Sequence, residues 1–179
     1  MKKGKASEYS KRQDGDATVF DVTPASAPKF MYLVIFGAFI GLLGLGMIAS
    51  GGIFMLAMAG LAIWYGWFRD QRPKDHKTPS TFRVTSDQIE AGGRTFKKDE
   101  IHRLILKNGI TDKELPVQQW TTNRNEMAGM AHRANVSMVS NSLNVETGGK
   151  SMLLAGGMDE TTAYGLLTDV SKVLGWTPA

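Results

Sequence analysis

Several short constellations in this 179-residue chain carry residue types that could do chemistry. Gly148-Gly149-Lys150-Ser151 resembles the end of a phosphate-binding loop. That motif needs a glycine five residues before its second one, where Asn144 stands, and a helix after the serine to aim N–H groups at phosphate. Met152-Leu153-Leu154 reads as a strand instead, so nucleotide binding is disfavoured. The histidines are His76, His102 and His132. Only Glu100 and His102 are near neighbours of the right type, and a zinc site wants three or four converging ligands. No serine among Ser137, Ser140, Ser142 and Ser151 sits in a Gly-x-Ser-x-Gly turn. With no cysteine there is neither a thiol nucleophile nor a disulfide framework. The expectation is a protein that is not an enzyme, with no catalytic residues, no metal and no cofactor.

Binding chemistry is easier to find than catalysis. Trp120, Arg124, Met127, Met130 and Arg133 cluster in one polar stretch, and Trp, Met and Arg are enriched at protein interfaces. They form a candidate partner interface; the alternative is a core Trp120 followed by an ordinary loop. Basic residues concentrate elsewhere. Residues 1–29 carry six Lys or Arg against four acids, residues 69–77 four against two, and residues 78–179 eleven of each sign. Lys2, Lys3, Lys5, Lys29, Arg69 and Arg72 are therefore candidate contacts to anionic lipid headgroups, or simply a topology signal. The balanced charge of the remainder disfavours nucleic acid.

The elements that must position these residues are organised around Phe30–Phe68, which contains no Asp, Glu, Lys, Arg or His. One helix of that length is almost twice too long for a bilayer core of about 30 Å. Two helices, Phe30–Ile48 and Ile53–Phe68, with a turn at Ala49–Gly52, suit a transmembrane hairpin. Lys and Arg on both flanks should put both termini on the cytoplasmic side of a multi-pass membrane protein. Gly37-x-x-x-Gly41 and Ala62-x-x-x-Gly66 are small-residue faces for close helix packing, against each other or against another helix. Residues 1–29 read as a flexible arm with a short extended piece at Thr18–Val22, and 69–80 as a linker.

From Thr81 the apolar period becomes that of strands, with turns at Ser86-Asp87, Gly92-Gly93 and Thr147–Lys150. Further strands are expected at Val117–Thr121, Val136–Val139, Leu143–Val145 and Met152–Leu154, the last released by Gly156-Gly157. A closing helix follows Asp159, with Ala163, Leu166, Leu167, Val170 and Leu174 on one face and a stop at Gly175. Residues 81–179 should form an antiparallel barrel or sandwich closed by that helix. The stretch Phe82–Phe96, with its aromatic-x-Val-Thr-x-x-x-Ile pattern and Gly turn, resembles the opening hairpin of the bacterial pleckstrin-homology-like membrane proteins. The resemblance implies a multi-pass protein of a bacterial inner membrane, with a transmembrane hairpin ahead of a PH-like barrel, and a scaffold or binding role without catalytic residues. The expected function is a non-enzymatic accessory subunit that docks partner proteins of a membrane complex, or forms a homo-oligomer. The alternative is a lipid-headgroup-binding sensor on the bilayer.

Overall fold

A computed structural model of the chain describes residues 5–110 and 128–176, the side chains of 128–131 excepted. These residues divide into a β unit and a helical unit. The β unit takes in residues up to Ser26, from Arg72 to Ile110, and from Ala134 onward. The helical unit is Ala27–Gln71 together with the stretch of the third helix that ends at Arg133.

The β unit contains two antiparallel sheets. The first runs in chain order: β1 (Glu8–Asp14), β2 (Ala17–Thr23), β3 (Ser80–Val84), β4 (Gln88–Ala91) and β5 (Arg94–Lys97). The second comprises β6 (Ile101–Asn108), β7 (Asn141–Thr147) and β8 (Lys150–Met158). Paired glycines with positive φ, Gly92-Gly93 and Gly148-Gly149, make the two-residue turns β4–β5 and β7–β8, the geometry that suits strand twist. Helix α4 (Glu160–Val173) closes the core, and its Asp159 cap accepts from the Thr162 N–H as the spacing predicts. Phe20, Phe82 and Ile89 of the first sheet meet Leu143, Val145 and Met158 of the second and Leu166, Val170 and Leu174 of the α4 region. Phe20 and Phe82 are ladder partners whose rings stack at 5.3 Å.

Several expectations are corrected here. The barrel does not close: among the described residues no ladder joins the two sheets, because the turn at Lys98–Glu100 carries the chain from one sheet to the other. The architecture is mainly β, with two open sheets, and not a closed PH-like barrel. Residues expected within a flexible arm form β1 and β2; the extended piece expected at Thr18–Val22 lies within β2, which buries Val19, Phe20 and Val22. The pattern is hidden because β1 is a charged edge strand, as edges usually are. Val136 belongs to α3 (Ala128–Met138) and not to a strand. Strand β8 runs through Gly156-Gly157, where another backbone segment approaches closely. The strand expected at Val117–Thr121 lies outside the described residues.

The helical unit is an antiparallel pair, α1 (Met31–Gly46) and α2 (Gly52–Phe68), joined by a 3-10 turn at Ile48–Ser50 and by Gly51 at φ 103°. At 1.5 Å per residue the helices are about 24 and 26 Å long, against a bilayer core of about 30 Å. No helix among the described residues is long and apolar enough to cross a membrane. The transmembrane hairpin and the multi-pass inner-membrane location are overturned by that finding. The chain spends its apolar residues on the reversal: α1 ends at Gly46, so that Met47 to Gly51 can turn.

Candidate docking surface

The small residues of the hairpin face inward. A Cβ on Gly37 would lie 2.9 Å from Ile63 Cγ1 and 3.1 Å from Ala62 Cβ, and one on Gly66 would lie 2.9 Å from the Phe30 carbonyl oxygen. Gly44 meets Gly52 and Met55 in the same way, while Gly41 has only ordinary contact with Ala59, at 3.4 Å. The Phe30 N–H also donates to the Gly66 carbonyl at 2.9 Å. Gly37, Gly41, Ala62 and Gly66 thus come together as the seam between α1 and α2. Gly46 and Gly60 lie on the opposite side, with open space where a Cβ would be.

The outer side is apolar throughout. Met138 excepted, every large hydrophobic side chain that is exposed among the described residues lies between Tyr32 and Phe68. Leu42 is 69 % exposed and Phe54 73 %. Charge is confined to the end where the chain enters and leaves. There the Lys29 ammonium sits 3.4 Å above the Trp67 ring and the Arg69 guanidinium 4.7 Å from Tyr65, as cation–π pairs. In the same unit His132 is buried and stacks on Phe30 at 4.4 Å, and burial pushes its pKa down.

The remaining predicted site residues do not assemble. Lys2, Lys3, Trp120, Arg124 and Met127 lie outside the described residues, and Met130 is placed only as a backbone position in α3. Arg133 is exposed on that helix. Lys5 is exposed and 3.8 Å from Glu8. Arg72 is not available to a headgroup: it is buried and donates to the Ala25 carbonyl at 2.6 Å.

Among the described residues, a cleft of about 360 Å³ lies between the β1–β2 hairpin and the C-terminal turn of α4. Lys11, Arg12, Asp169 and Lys172 line it, with Asp169 paired to Lys11 at 3.0 Å and accepting from the Tyr9 hydroxyl at 2.9 Å. Burial, with Asp169 beside it, pushes Tyr9 up to about 12. Burial alone would raise Asp169, but the bonds from Lys11 and Tyr9 hold it low. The cleft holds an ion pair in which Asp169 is already satisfied. His102 and Glu100 are exposed, and among the described residues no three His, Asp or Glu side chains converge. Gly148-Gly149 is a hairpin turn followed by a strand, which leaves no phosphate loop. The residue that sequence reasoning passed over is His76, placed in a linker but buried in the β unit. Its only local signal is a histidine between two prolines, Pro73 and Pro79.

The resemblance to bacterial PH-like membrane proteins finds no support beyond the sequence pattern that suggested it. No protein-family model, no curated protein and no solved structure matches the chain.

Proposed function

We propose that this chain is a non-enzymatic accessory subunit that docks partner proteins through its helical hairpin. One observation carries the reading: the exposed large hydrophobics of the described residues are gathered on the hairpin, Met138 excepted. Helices that are apolar all round are normally buried by their surroundings, and contiguous apolar patches mark interaction sites. Covering each such Leu or Phe contributes about 1.5–3 kcal/mol. The inward seam completes the argument, since α1 and α2 satisfy each other and leave their outer faces for something else.

The test is the native mass of the complex, with its composition, after gentle lysis, for the unmodified chain and for a Leu42→Glu/Phe54→Glu variant. Both side chains point outward, so the hairpin should survive and the complex should not. A stoichiometric set of other proteins that the double variant loses supports docking. A variant that stays in a complex of the same size and yield overturns it.

A second reading, recognition of a lipid surface, rests on the pairs Lys29–Trp67 and Arg69–Tyr65 at one end of the hairpin. Aromatic rings beside cations suit the boundary between headgroups and apolar chains. A chain that purifies alone, and that cosediments with phosphatidylcholine vesicles more strongly when phosphatidylserine is added, would favour this reading over the first.

A further inference from the structure

His76 closes a single 3-10 turn, Lys74–His76, in the segment that leads from the hairpin to β3. Its side chain is 5 % exposed. Glycines make the room. A Cβ on Gly109 would stand 2.5 Å from the ring's Cε1, and one on Gly156 would stand 2.7 Å from Cδ2. Gly157, at φ 76°, lets β8 pass against the His76 backbone carbonyl. The imidazole therefore occupies space that a side chain at Gly109 or Gly156 would fill.

The hydrogen bonding of the ring is one-sided. It bonds the backbone of Ser140, while the buried Nδ1 has no partner. A neutral imidazole has one N–H and one lone pair, so a single donor bond satisfies it in part. A protonated ring would add a second N–H and a full charge at an atom with no acceptor, which a buried site opposes strongly. The charged groups acting on it are Asp75, which favours protonation, and Arg72, which resists it. Gly109 and Gly156, which flank the ring, and Ser140, which it bonds, do not titrate. Burial is the largest influence and holds the ring below its ordinary value of 6.5.

We propose that His76 is a pH-operated latch: neutral, it fastens residues 72–79 to the β unit, and its protonation on mild acidification expels the ring and frees that segment. The direction follows from linkage. Above the ordinary histidine value, both the seated and the expelled ring are neutral. Below it, only the expelled ring takes up a proton readily, so falling pH favours release.

Hydrogen exchange at two amides reads the latch directly. The N–H of His76 donates to Pro73 and that of Lys77 to Lys74, each at 3.1 Å. In the full chain, corrected for intrinsic rates, their protection should fall about tenfold or more between about pH 7.5 and about pH 5. His76→Gln keeps a donor for Ser140 but cannot titrate, and should make protection independent of pH. Gly156→Ala should leave protection low at both pH values. His132→Gln removes the other buried histidine and should leave the response intact. An unmodified chain whose protection is flat, or a His76→Gln chain with the same fall, overturns the proposal. An NMR titration of the His76 ring in the unmodified chain decides the matter without variants. A midpoint below 6.5 that coincides with loss of protection supports the latch, and a midpoint at or above 6.5 overturns it.

Discussion

Asp159 shows how much one side chain can hold. It caps α4 through the Thr162 N–H at 3.0 Å and also accepts from the Ser7 hydroxyl at 2.5 Å, tying the N-terminal segment to the last helix. Asp159→Ala should therefore destabilise the fold by about 1–2 kcal/mol, the upper half of the range for a lost N-cap. Burial would raise the Asp159 carboxyl, but the Ser7 and Thr162 bonds outweigh it and the pKa is lowered. A depressed folded-state pKa contributes stability that is complete above the unfolded value of about 4 and is lost as pH falls through the folded value. The gap between the urea midpoints of the two proteins should thus be full at about pH 7 and shrink in acid below about pH 4. The cap was legible in the sequence because an N-cap is a local signal, an Asp ahead of apolar residues at helical spacing. Its partner Ser7 was not, since nothing local announces a contact across almost the whole chain. His76 was missed for the same reason: the space for its ring is left by a glycine of β8 and by the glycine after β6, far from it in sequence.

At the scale of elements, the two faces of the hairpin make opposite predictions. Gly66 is on the seam, where a Cβ would crowd the Phe30 carbonyl, Leu33 and Val34. Gly66→Leu should push α1 and α2 apart and cost about 1–3 kcal/mol, read as early loss of helical circular dichroism on heating. Gly60 faces open space inside α2, so Gly60→Leu should not lower the melt and should raise it by up to the roughly 1 kcal/mol that glycine costs in a helix. Equal losses in both variants would mean that the seam is wrongly placed. The existence of the hairpin and the position of its reversal were legible from the absence of charge and the Ser50-Gly51-Gly52 punctuation. The use of the small residues was not, since Gly-x-x-x-Gly reads alike whether a face meets its own partner helix or a foreign one. The strands of the β unit were legible where glycine turns separate them. Strand β1 was not, because six of its seven residues are exposed and follow no apolar alternation.

At the scale of the whole molecule, the N-terminal strands belong to the core. Phe20 is fully buried against Phe82. Phe20→Ala should cost about 3–5 kcal/mol, seen as a large fall in the denaturation midpoint of the β unit. An appended arm would show almost no change. This was the least legible part of the architecture, because β2 finds its neighbour β3 only after the entire hairpin has intervened. That interposition also sets an order of assembly. As the chain is synthesised, β2 emerges first and must wait for β3, with its outer backbone groups unpaired. Closing a loop costs free energy that grows with the logarithm of its length. Once α1 has zipped onto α2, only the flanks of the hairpin remain as slack, which lowers the closure cost by about 1 kcal/mol. Helices form in about a microsecond, well ahead of long-range strand pairing. The hairpin is therefore a splint for the sheet, and loosening it delays the pairing of β2 with β3.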